Sequence, residues 1–246
     1  MKRKKMRKIR LLILGVTMLS ILFVSGCMYP KERLMENQLP LMEQVSMVQA
    51  AIDEFHEATK VLPILTKEAD TPIFEKYVID FSGLVPRYMP YVPGGAFEQG
   101  GPYLFVLTDV ETNPTVRLLD LRVVDTVSTV QSRVSYYYQK NNSLPVEGVI
   151  RPGYFTINFS QIGIGKQAQT IESPISGKQL PIIMSSTGQV GVDYTEDLEL
   201  VLKNNNLQAA SFEDVREIIP QNSIYVPVKS FYYDSINGKV SLAPFK

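Results

Sequence analysis

An apolar stripe that recurs further along the chain constrains it more than any other feature. Val45, Val48, Ile52 and Phe55 fall at i, i+3, i+7 and i+10, the spacing of one face of an amphipathic helix. Val127, Val130, Val134 and Tyr137 repeat that spacing, and a Leu-Pro pair follows each stripe, Leu62-Pro63 and then Leu144-Pro145. Val48 to Ile64 aligns without a gap on Val130 to Val146, sharing Val-Gln at the start and Leu-Pro near the end, although identity between the two is low. The next segment recurs as well: Ile79-Asp80-Phe81-Ser82-Gly83-Leu84 matches Ile157-Asn158-Phe159-Ser160-Gln161-Ile162. A punctuated loop follows each, Pro86 to Pro102 and then Gly163 to Lys178, and two strand-like runs follow each loop. A period of this length points to internal duplication, with agreement by composition as the competing explanation. The expected fold class is therefore α+β: two tandem repeats of about 80 residues, each an amphipathic helix followed by a small antiparallel sheet. The two units span residues 40–125 and 126–194.

Within the first unit, Tyr77 to Phe81 reads as a strand, as do Leu104 to Thr108 and Val116 to Val123, the last running into the second helix. In the second unit the corresponding strands are Leu180 to Met184 and Gln189 to Tyr194. Residues 195–246 form a third region with a C-terminal helix and β-hairpin. Thr195 to Asn204 suits a short helix, and Ser211-Phe212-Glu213-Asp214 resembles a capping box opening a helix through Ile219 that Pro220 stops. Ser223 to Asp234 and Lys239 to Ala243 are strand-like around Asn237-Gly238, a strong hairpin signal, and Pro227 places its strand at an edge or bulge.

The segment from Met1 to Cys27 speaks to location. A run of basic residues between Lys2 and Arg10 precedes an apolar run from Leu11 to Val24, the layout of an export signal. The apolar run falls short of the roughly 20 residues that span a bilayer. Val24-Ser25-Gly26-Cys27 resembles the lipobox of bacterial lipoproteins, in which a hydrophobic and two small residues precede the cysteine. A secretory signal without lipid would fit Val24-Ser25-Gly26 only loosely. The resemblance implies that residues 1–26 are a cleaved signal peptide and that Cys27 carries diacylglycerol. Residues 27–39 then serve as a polar tether, and the protein sits lipid-anchored on the outer face of the bacterial cytoplasmic membrane. The chain as a whole is similar to uncharacterised lipoproteins of low-GC Gram-positive bacteria, some described as transport-binding proteins.

Removal of the signal would leave positions 27–246, enough for one large domain or two small ones. Seven of the 25 Lys and Arg go with the signal while all 25 Asp and Glu stay, so the net charge falls from zero to about minus seven. Such a body gains nothing electrostatically from nucleic acid or anionic lipid, so attachment rests on the acyl chains, two of which hold well. With Cys27 the sole cysteine, no internal disulfide forms and packing must stabilise the body.

Catalytic signals are thin. His56 is the only histidine and sits beside Phe55 at the edge of the helix stripe, a place that suits core or boundary packing. Asp109 and Glu111 flank one turn and Asp193, Glu196 and Asp197 another, without the spacing of a calcium loop, and read as solvated charges. No phosphate loop is present, and Gly163-Ile164-Gly165 lacks the rest of a dinucleotide fingerprint. No enzyme, metal or cofactor is expected. Arg87, Tyr88, Tyr91, Phe97 and Tyr103 bring aromatic and guanidinium groups into or beside the Gly/Pro loop, a composition that anchors protein and saccharide contacts, although the rings would equally fold back on their own sheet. The function expected is a non-enzymatic envelope lipoprotein presenting a surface to a protein or wall polymer. The alternative is a substrate-binding accessory of a transporter.

Overall fold

The structure is a computed structural model that describes residues 39–165 and 168–244. The signal segment, Cys27 and all of the tether but Leu39 lie outside the described residues. The described body has a mixed α/β architecture of helices and small antiparallel sheets. Helix α1 (Leu41–Thr59) buries Val45, Val48, Ala51 and Ile52, the face its periodicity marks. A short α2 (Ile73–Lys76) and two 3-10 turns precede the hairpin β1 (Tyr103–Thr108) and β2 (Thr115–Asp120). Helix α3 (Leu121–Asn141) starts straight from β2, with the Asp120 carboxylate accepting the Arg122 amide at 2.9 Å as its cap. It buries Val123, Val127, Val130 and Val134.

A five-stranded sheet follows, in the order β3 (Val146–Arg151), β4 (Tyr154–Ile157), β6 (Gln179–Ser185), β5 (Thr170–Glu172), with β7 (Val190–Val192) also paired to β6. Helices α4 (Thr195–Asn204) and α5 (Ile218–Asn222) and the hairpin β8 (Tyr233–Ile236), β9 (Lys239–Leu242) complete the chain. The last hairpin turns at Asn237 and Gly238, both at positive φ, which asparagine tolerates and glycine, lacking a Cβ, adopts freely.

Burial of both faces of the β1–β2 hairpin organises the packing. Because strand side chains alternate, Phe105, Leu107, Val116 and Leu118 join the α1 core, while Val106 and Leu119 face a second, larger core around α3, β6 and α4.

One set of backbone and side-chain bonds occurs twice. Helix α1 ends with Lys60 at φ 61° bonded to His56 O at 2.8 Å, and α3 ends with Asn142 at φ 50° bonded to Tyr138 O at 2.8 Å. Asp80 N reaches Pro63 O at 2.8 Å, and Asn158 N reaches Pro145 O at 2.7 Å. Bridges Ile64 to Ile79 and Val78 to Val106 have counterparts in Val146 to Ile157 and Thr156 to Ile183. The helix then grips its hairpin with one glutamine. Gln49 donates to Pro114 O at 2.9 Å and accepts from Val116 N at 2.8 Å; Gln131 donates to Gly188 O at 2.9 Å and accepts from Val190 N at 2.7 Å. The second strand of each hairpin, at Leu118 and at Val192, takes a parallel bridge from the C-terminal segment, at Tyr225 and Ser230.

Several expectations are corrected. Tyr77 to Phe81 is not a strand: Val78 and Ile79 make single bridges, and Phe81 opens a 3-10 turn capped by Asp80. Residues Gly163 to Lys178 include β5 rather than loop alone. Pro220 lies inside α5, where a short helix has no earlier carbonyl partner for it to lose. Ser223 to Ser230 is extended but joins by bridges only, and β8 begins at Tyr233.

The glutamine grips set equal stabilities at stake. Gln49→Leu and Gln131→Leu keep side-chain volume but each strand a part-buried N–H and C=O, so each should cost about 1–3 kcal/mol. Chemical denaturation of both variants measures this, with the two losses of similar size.

Candidate functional site: an exposed aromatic loop and an acidic cleft

The loop from Pro86 to Pro102 lies along α1. Tyr88 meets Phe55 edge to face, with centroids 5.3 Å apart, and Gly95 donates to the Gln44 side chain at 2.9 Å near the other end of the helix. Its inner side is buried at Met89, Pro93 and Ala96. Gly101 is held where a Cβ would come within 2.2 Å of Gly95 O, so only glycine closes the loop. Gln44 itself is 3% exposed and works at both ends, donating to Leu39 O at 2.6 Å while accepting from Gly95.

The five candidate residues part company here. Tyr91 and Phe97 are 52% and 60% exposed, and Arg87 is exposed with its guanidinium 5.2 Å from the Tyr88 ring. Tyr88 is half-buried. Tyr103 lies on β1 and is buried in the α1 core, where its hydroxyl accepts from Arg122 at 3.2 Å and its ring tilts against Tyr225. The structure thus brings Arg87, Tyr91 and Phe97 to the surface and takes Tyr103 away from it, because β1 is buried on both faces.

A second feature has no counterpart in the sequence patterns. A cleft of about 480 Å³ opens between α2, the β1–β2 turn and the segment around α5. Ile73, Phe74 and Tyr77 form an apolar wall, and Asp109, Glu111, Glu213 and Glu217 bring four carboxylates. Burial raises the pKa of Glu217 above the usual carboxylate range, and Asp214, Asp109 and Glu213 add to the rise. The two pairs stand far apart in the chain, so no local motif announces them. Nearby, the buried Arg216 lies between the Phe74 and Tyr232 rings, 5.3 and 3.8 Å from their centroids, and pairs with Asp214 at 2.6 Å.

Other titratable groups singled out in the sequence lie elsewhere. His56 is exposed, its Nδ1 3.1 Å from Val61 O, which corrects the expected core or boundary packing: the helix stripe turns it outward. Asp193 accepts from Thr195 and Tyr233 at the start of α4. Asp197 is no solvated turn charge. It is fully buried, with Oδ2 accepting from Ser173 at 2.6 Å and Oδ1 unpartnered. Among the described residues no group of three or more His, Cys, Asp or Glu is placed to hold a metal ion, and no helix is long and apolar enough to cross a membrane.

In comparisons with known proteins, the model of the YphF family N-terminal domain matches residues 41–120. The matched segment, about a third of the chain, runs from the first residue of α1 to the last of β2. No curated protein and no solved structure matches.

Two outcomes test these placements. Tyr91→Ala should shift stability by less than about 0.5 kcal/mol, whereas Tyr88→Ala should lose more than about 1 kcal/mol with its aromatic pair; thermal melts separate the two. Burial raises the carboxyl pKa of Asp197 in the folded state, so its contribution is fully present below the unfolded pKa near 4 and is lost as pH rises through the folded value. Asp197→Asn should therefore remove a fall in stability with rising pH above about 4 that denaturation of the wild type is expected to show.

Proposed function

We propose that this chain is a non-enzymatic envelope lipoprotein, anchored through diacylglyceryl Cys27 to the outer face of the cytoplasmic membrane. Its body is built from two copies of one helix-and-hairpin unit, and it presents the Tyr91–Phe97 loop to a protein or wall-polymer partner. The observation that carries the surface is the loop's construction. Gln44, the buried Met89 and Ala96 and the obligatory Gly101 fix its backbone, so two exposed aromatic rings stand on a rigid support and lose little entropy on contact. The lipobox-like Val24-Ser25-Gly26-Cys27 after a basic and apolar leader supports the anchor. The paired caps, bridges and glutamine grips support the duplication, since agreement by composition would not place the same bonds at corresponding residues.

The acidic cleft favours a second reading, a substrate-binding accessory of a transporter. Four carboxylates beside Phe74 and Tyr77 suit a cationic solute with an apolar part.

Cys27→Ala tests the anchor. Without the thiol there is nothing to alkylate, so metabolic lipid labelling should vanish and the chain should stay as an uncleaved precursor or be released. Label retained on the variant would reject the assignment.

A further inference from the structure

We infer that the partner of the Tyr91–Phe97 surface is the outward-facing part of a membrane-embedded protein, with apolar groups at its centre and basic ones around them. The inference rests on the lipoprotein reading and deepens it. The body begins at Leu39, and Gln44 ties Leu39 O to Gly95 N across the base of the loop. The aromatic surface is therefore built on the residue at which the tether enters. The chain from Cys27 to Leu39 spans about 40 Å at full extension. This part of the body stays within that distance of the bilayer, where lipid headgroups and the outer faces of membrane proteins are in reach.

Charge decides between those two. Leu39, Met42, Tyr91 and Phe97 are each between 42% and 60% exposed, and α1, against which the loop packs, turns Glu43, Asp53, Glu54 and Glu57 to solvent. The helix contains no lysine or arginine, and the loop balances Arg87 against Glu98. Anionic lipid repels such a surface, while a basic protein surface attracts it. Confinement to the bilayer surface raises the frequency of encounter with a membrane-embedded partner, which lowers the intrinsic affinity the contact needs. A small interface is then sufficient.

Site-specific photocrosslinking in intact cells tests this, with a benzophenone side chain replacing Phe97 or, as a control, Val149, an edge-strand residue that is 69% exposed. The expected result is an adduct from position 97 but not from 149 with an integral membrane protein, mapped to an outward-facing segment rich in Lys and Arg. Its yield should fall several-fold when Glu43→Lys and Glu54→Lys are combined. An adduct with lipid or wall polymer alone, no adduct, equal yields at both positions, or a yield indifferent to charge reversal would each overturn the inference. The mass of the N-terminal peptide reports separately on Cys27. An unacylated Cys27 defeats the lipoprotein reading, whereas an acylated one without the position-specific adduct defeats this inference alone.

Discussion

The β1–β2 hairpin is shared by two cores, and most of the body depends on that sharing. Phe105 and Leu107 fill the space against α1, while Val106 and Leu119 fill the space against α3 and the five-stranded sheet. A two-stranded hairpin is marginal alone in water; burial of both faces is what makes this one stable. Its outgoing strand delivers Asp120 as the cap of α3, so the second helix is aimed by the first hairpin. Leu118 also pairs with Tyr225, which holds the C-terminal segment across the edge of β2.

Polar side chains lock elements together where backbone pairing stops. A glutamine amide carries both a donor and an acceptor, so one side chain satisfies a C=O and an N–H two residues apart on a hairpin, as Gln49 and Gln131 do. Gln44 does the same for the base of the aromatic loop. A carboxylate only accepts and an arginine only donates, which suits them to a different joint. Asp120 with Arg122 and Asp214 with Arg216 form matching Asp-x-Arg starts, in which the aspartate takes the arginine's amide and its guanidinium together. Arg216 adds a sandwich between Phe74 and Tyr232 that the sequence spacing does not announce, because its partners are not its chain neighbours.

What is legible in the sequence follows from local rules. The apolar stripes locate α1 and α3, and Asn237-Gly238 locates the last hairpin, because period and turn chemistry act within a few residues. Thr195–Asn204 reads as a helix to its observed limits. Tyr77 to Phe81 misleads: its β-branched and aromatic composition is strand-like, but Asp80 caps a turn with its own side chain and ends the extended run after two bridges. Tyr103 groups with the loop in sequence because it follows Pro102, although its register opposite Asp120 places it in the core. The acidic cleft is illegible for a plainer reason, since its two pairs of carboxylates meet only in three dimensions.

The buried polar groups are occupied with structure, which leaves recognition to the surface. Gln44, Asp120, Ser173 and Arg216 each have partners, and the one buried side-chain oxygen without one among the described residues is Asp197 Oδ1. That oxygen belongs to a carboxyl that burial pushes toward its neutral form, so it adds little field to the outside. The outward charge instead comes from carboxylates such as those on α1 and in the cleft, with aromatic rings placed near both. An aromatic contact beside an acidic helix would gain specificity from what it repels as much as from what it attracts. Under the proposed anchor this acidity has a further consequence. The acyl chains would then hold near an anionic membrane a body whose own acidic surface does not favour it, which would leave Tyr91 and Phe97 open to a partner.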